Sequence, residues 1–156
     1  MSSALSNSNR AVGIFGVPLG YGASMAGVDM GPAALRVARL KQRIAGLGYS
    51  VRDHGDMRLD SPETVPDEHV KLKYLSEISN ACEQLSVQVE GILDSGELPL
   101  VLGGDHSIAI GSFAGIAAYY KKKQETIGLI WFDAHADMNT PETTPSGNIH
   151  GMPLAA

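Results

Sequence analysis

The chain has 156 residues, with 12 Lys and Arg against 17 Asp and Glu and a formal net charge of -5. That length suits one domain able to bury roughly 70% of its unfolded surface, and with Lys121 to Lys123 as the only basic run, nucleic acid is excluded as a partner. Cys82 is the single cysteine, so no intrachain disulfide forms, and no apolar run approaches the ~18 residues of a membrane span or the core of a signal peptide; the expectation is a cytoplasmic chain with no membrane partner.

Residues 1–10 are rich in Ser and Asn and read as a disordered tail. Ala11 to Val17 is short, apolar and bounded by Pro18, which predicts a buried strand. Gly31-Pro32 opens a helix whose apolar face is Leu35, Val37, Ala38, Leu40 and Ile44, and Gly46 and Gly48 offer its stop. Tyr49 to Arg52 reads as a second strand. From Asp67 to Asp94, Val70, Tyr74, Ile78, Cys82, Leu85, Val89 and Ile92 recur at spacings of three and four, the stripe of one long helix that Ser95-Gly96 ends. Leu98 to Leu102 is a third strand, Ser107 to Tyr120 a helix of small residues, and Ile127 to Phe132 a fourth strand, apolar throughout and therefore expected to be covered on both faces. Strand and helix alternate, so the sheet is parallel with helices on both sides. Ligands of such sheets sit at the carboxyl ends of the strands.

Two segments at that edge carry chemistry. Trp131-Phe132-Asp133-Ala134-His135-Ala136-Asp137 places two carboxylates and an imidazole at every second residue, and Gly103-Gly104-Asp105-His106 ends an apolar strand in a turn that delivers another imidazole. Oxygen and nitrogen donors without a thiolate suit Mn, Fe, Co, Ni or Zn. A straight strand would hold Asp133 and Asp137 about 13 Å apart, so the chain must curl near His135 for both to serve one ion. Two carboxylates brought together without a cation would repel by about 2 kcal/mol at an effective dielectric near 20. The bland alternative is that Asp133 and Asp137 cap a strand end and His135 is a hydrogen-bonded loop residue. His54 and His69 read as structural; Asp105 is either a ligand or a partner that fixes His106 or its turn. The glycine-rich stretch Gly16 to Gly31 lacks G-x-G-x-x-G, which argues against nucleotide binding.

The segments GGDHS (Gly103 to Ser107), DAHAD (Asp133 to Asp137), NTPETTPSGNIHG (Asn139 to Gly151) and GVDMGPAALR (Gly27 to Arg36) resemble the ureohydrolase family, and the SGNIHG stretch its arginase branch in particular. The resemblance implies a three-layer α/β/α sandwich with a parallel sheet, arginase/deacetylase-like and incomplete at its C-terminus, with residues 11–156 forming the N-terminal half of the domain. It implies two Mn ions, one held by His106, Asp133 and Asp137 and the other by Asp133 and His135, with Asp133 bridging. It implies hydrolysis of L-arginine to L-ornithine and urea by a metal-bridging hydroxide, with Asp137 and His150 as catalytic residues, His150 shuttling a proton to the departing amine. Asn139, Thr144, Ser146 and Asn148 match positions that hold the substrate's α-carboxylate and amine; turn formation is the alternative for each. The family's second acidic motif, S-x-D-x-D, has no counterpart here, so metal affinity and activity of this chain alone should suffer. Family members form trimers or hexamers, which makes a homo-oligomer the expected assembly. The alternatives are an agmatinase or another guanidino-compound hydrolase, and a noncatalytic fragment that pairs with a second polypeptide through its open sheet edge.

Overall fold

A computed structural model describes residues 11–60 and 71–156. Three strands form one parallel sheet in the order β2-β1-β3, with β1 at Ala11–Val17, β2 at Ser50–Asp56 and β3 at Glu97–Gly103. β1 pairs with β3 without a break from Ala11 opposite Glu97 to Val17 opposite Gly103, and with β2 through a register shift between Ile14 and Gly16. The middle strand is buried along nearly its whole length, which is why its sequence is apolar without alternation.

Helices cover both faces. On one, α2 (Leu40–Gly46) packs Leu40 and Ile44 against Val12, Ile14 and Leu102, and α1 (Gly31–Val37) lies against the strand ends, Gly31 by Gly103 and Pro32 by Gly16. On the other, α3 (Leu75–Asp94) and α4 (Ile108–Lys122) close over Phe15 and Val17, with Ile78, Leu85, Val89 and Ile92 fully buried in the stripe that the spacing of three and four predicts. The α4 surface facing α3 carries the buried Gly111 and Gly115, and their lack of side chains lets the two helices approach closely. The layers are therefore helix, parallel sheet, helix.

Four elements differ from the sequence reading. The helix expected from Gly31 to Ile44 is two helices, because Arg39 takes a left-handed conformation (φ 62°) that ends α1 and re-aims the chain so that Leu40 and Ile44 reach the sheet. β2 runs on to Asp56, beyond the apolar residues, since an edge strand tolerates polar side chains. The long helix begins at Leu75, after the left-handed Tyr74 (φ 53°); the part expected over 67–70 lies outside the described residues, as do His69 and the tail 1–10. The fourth strand is absent from the ladder. Residues 127–132 pair with no strand among the described residues, and Ile130 and Phe132 are 80% and 94% exposed. Their apolar pattern encodes neighbours on both faces and both edges, and the β2-β1-β3 sheet supplies none of them.

Arg36 ties α1 to the sheet. Its guanidinium donates to both Asp53 oxygens at 2.8 and 2.9 Å and to Asp56 Oδ1 at 2.6 Å. The hydrogen bonds from Arg36 hold the Asp53 carboxyl below its ordinary range. A carboxylate whose folded value is depressed contributes stability above its unfolded pKa, near 3.9, and loses that contribution as pH falls through the folded value. Both side chains are about a quarter exposed, so solvent screening limits the pair to on the order of 1 kcal/mol. Arg36→Met should therefore lower the urea midpoint at pH 6, and the gap to the parent chain should narrow as pH is taken below about 4. A gap that stays constant into strong acid would contradict this origin.

Candidate metal centre

The GGDHS turn follows β3 directly and is stitched to the loop after β1. Gly104 N–H donates to Val17 O at 3.2 Å and Asp105 N–H to Leu19 O at 2.8 Å. Asp105 is buried, and its two oxygens accept the N–H groups of Gly22 (2.8 Å) and Ser107 (2.9 Å). Both oxygens are thus engaged in holding the turn, which favours a structural partner over a ligand. The turn projects His106 from the sheet's carboxyl edge, where its ring lies tilted against that of Trp131, with the centroids 4.9 Å apart.

There His106 meets the second segment. Its Nδ1 lies 3.5 Å from Asp133 Oδ2 and its Nε2 3.8 Å from Asp137 Oδ2. One ligand atom from each of His106, Asp133 and Asp137 falls within 4.8 Å of the other two, a spacing one divalent ion can bridge. Among the described residues neither carboxylate pairs with a Lys or Arg, so the negative charge of the cluster has no resident counter-ion other than imidazole. Nitrogen and oxygen donors in this ratio fit a borderline divalent metal.

The curl that brings the carboxylates together has a local cause. Asp133 Oδ1 accepts the His135 N–H at 2.7 Å, a side-chain turn of the kind Asp favours. Asp137 then adopts a left-handed conformation at φ 51°, rare for residues other than Gly but tolerated by Asp. Its side chain is buried and accepts a hydrogen bond from Trp131 Nε1 at 3.2 Å. The His135 N–H, more than any other group, holds the Asp133 carboxyl below its ordinary range. His135 Nδ1 approaches Asp133 Oδ1 at 3.2 Å, but its side chain is 82% exposed and stands outside the three-residue cluster. Asp133 thus faces a different imidazole with each oxygen.

The loop from 139 to 151 returns to the same place. Asn139 N–H donates to Gly151 O at 3.1 Å and Leu154 N–H to Asp137 O at 3.0 Å, closing the loop at its base. A cleft of about 360 Å³ lies beside it, with His135, Asp137, Asn139, Thr144, Ser146, Asn148 and His150 in its wall. Thr144 Oγ1 accepts from Gly147 N–H (3.0 Å) and Ser146 Oγ from Asn148 N–H (3.2 Å). Asn148 Nδ2 donates to Ser24 Oγ at 2.6 Å, and His150 Nδ1 contacts the carbonyl oxygen of Gly22. Ser24, Gly22 and Trp131 support the site without having been singled out in the sequence; for the first two, the only signal was an unexplained richness in glycine. A larger cavity of about 440 Å³ between α3, α4 and the last residues is apolar and holds none of the cluster. His54 is a structural partner, as expected, with Nε2 2.7 Å from the buried Glu97.

A parallel sheet with helices on both faces and a His/Asp/Asp cluster at its carboxyl edge defines an α/β protein with a candidate divalent-metal centre. The chain belongs to the arginase family, whose sequence pattern matches residues 10–156. It is 47% identical over 148 residues to the arginase of Bacillus caldovelox, covering 94% of this chain and 48% of that protein, and 46% identical over 147 residues to the arginase of Bacillus subtilis strain 168. The native B. caldovelox arginase structure superposes with a TM-score of 0.84 over 94% of this chain and 48% of that one, and the arginase of Entamoeba histolytica with 0.81 at 35% identity, over 94% and 49%. The chain spans about half the length of the relatives it matches. Among the described residues, no helix is long and apolar enough to cross a membrane.

Proposed function

We propose that the chain carries the first half of an arginase-type active site, which hydrolyses L-arginine to L-ornithine and urea with Mn ions as cofactors. The observation that carries this reading is the juxtaposition of the His106, Asp133 and Asp137 cluster with a cleft walled by amides, hydroxyls and His150. His106, Asp133 and Asp137 would hold one ion and Asp133 and His135 a second. When bound, such a pair lowers the pKa of a shared water toward neutrality and so supplies hydroxide to a guanidinium carbon that water alone attacks poorly.

The chain's own residues do the rest. Thr144 and Ser146 accept backbone N–H groups on their hydroxyl oxygens, which leaves each O–H proton free to donate. Donors of that kind, with the Asn139 amide, suit an α-carboxylate. Asn148, held by Ser24, would join them in holding the substrate's α-carboxylate and amine, and His150 supplies a proton to the departing amine. Two carboxylates and two imidazoles fill fewer positions than two five- or six-coordinate ions require, so affinity and turnover of this chain alone should be low.

Urea release from purified chain with Mn(II), assayed on L-arginine and on agmatine, tests the reading. The expected result is slow turnover that favours arginine, because agmatine offers no carboxylate to the loop. A preference for agmatine would move the assignment to another guanidino substrate, and turnover equal to a full-length relative would contradict the incomplete site. A second reading is favoured by the exposed Leu98 on the free edge of β3, together with Ile130 and Phe132: a noncatalytic module that pairs through this edge with another polypeptide. A monodisperse monomer at high concentration that captures no partner would count against it.

A further inference from the structure

The contact between His150 Nδ1 and the Gly22 carbonyl fixes more than the ring's place. A carbonyl oxygen only accepts, so the proton must sit on Nδ1, and in the neutral ring Nε2 then carries the lone pair. Free histidine in water prefers the opposite arrangement. Gly22 is itself held, because its N–H donates to Asp105 Oδ2 at 2.8 Å while Asp105 Oδ1 is locked by the Ser107 N–H at 2.9 Å. Asp105 is 5% exposed and Gly22 is buried. The approach is too close for any side chain at position 22: a Cβ there would lie 2.2 Å from Ser107 Oγ and 2.6 Å from Asp105 Oδ1. A run of hydrogen bonds therefore leads from one carboxylate in the turn after β3, through one glycine, to an imidazole 45 positions further along the chain.

We propose that Asp105 is a positioning residue for His150, which it holds through Gly22 in the Nδ1–H tautomer with Nε2 as the atom that exchanges protons in the cleft. In the arginase-type reaction Nε2 takes a proton from solvent and passes it to the departing amine nitrogen as the C–N bond breaks, the bonding pair staying with nitrogen and Nδ1 keeping its own proton throughout. That proton path rests on the functional reading above; the tautomer and its dependence on Asp105 do not.

The test uses the whole chain without metal or substrate. Long-range proton–nitrogen NMR correlations of the imidazoles are recorded at about pH 8.5, roughly two units above the ordinary histidine pKa, and His150 is assigned by its loss in His150→Gln. The Nδ1–H tautomer should predominate over the Nε2–H tautomer, reversing the preference of free histidine, and the Gly22 amide should exchange slowly with solvent. Asp105→Asn, whose amide can accept only one of the two N–H groups, should return His150 to the Nε2–H form in a chain whose amide spectrum otherwise stays folded. Nε2–H predominance in the parent chain, fast exchange at Gly22, or an unchanged tautomer in folded Asp105→Asn would each overturn the proposal. If Asp105→Asn does not fold, the tautomer and the Gly22 exchange of the parent chain still decide. Absence of urea release alongside an Nδ1–H ring would count against the arginase reading and leave the positioning role standing.

Discussion

Asp133→Ala is expected to weaken Mn(II) binding by at least ~100-fold, measured by titration calorimetry or by the loss of the free-ion signal in electron paramagnetic resonance. The reason is geometric. Asp133 is the one residue with an oxygen toward each imidazole, Oδ2 at 3.5 Å from His106 and Oδ1 at 3.2 Å from His135. Loss of a group that merely supports a ligand costs about 10–100-fold in affinity, and a carboxylate that serves two ligand pairs must cost more. The substitution also removes the acceptor for His135 N–H, so the curl that turns Asp137 inward loses its first hydrogen bond. Asp133→Asn keeps an acceptor for that turn but not the charge, and should retain the fold while binding metal nearly as poorly. An Asn variant that bound like the parent would show that the carboxylate is not a ligand.

Gly104→Ala should destabilise the chain by about 3 kcal/mol, the upper range for forced overpacking, and weaken metal binding along with it. An added Cβ would lie 1.9 Å from Leu19 O and 2.6 Å from Leu19 N. Those atoms belong to backbone, and Leu19 is fully buried, so no flexible side chain can yield. The turn itself must move, and with it the hydrogen bonds of Gly104 and Asp105 to Val17 and Leu19 and the placement of His106. Urea denaturation and Mn(II) titration of the same variant should register both effects. Parent-like stability would contradict the close approach.

The parts of this molecule that were legible in the sequence are those whose cause is local. β1 announced itself by seven residues of apolar chain before a proline, α3 by its stripe of spaced apolar residues, and the α3 stop by Ser95-Gly96, where Gly96 takes φ 75°. The GGDHS and DAHAD segments were visible because each packs its donors into a few consecutive residues, and the need for a curl near His135 followed from strand geometry alone. What escaped depends on distance along the chain. The bonds from Asn148 to Ser24 and from His150 to Gly22 join residues 124 and 128 positions apart, and nothing in a glycine-rich loop says which backbone carbonyl an imidazole will choose. The run from 127 to 132 was misread for a related reason: an apolar sextet specifies that it wants cover, whereas pairing depends on which strands the rest of the chain brings beside it.

At the carboxyl edge of the sheet, His106, Asp133 and Asp137 converge within reach of one divalent ion. Diffraction from Mn-soaked crystals at the manganese absorption edge tests it most directly. An anomalous peak is expected about 2 Å from a nitrogen of His106 and from one oxygen each of Asp133 and Asp137. Strong manganese peaks elsewhere, with these three side chains free of metal at saturating Mn(II), would contradict it.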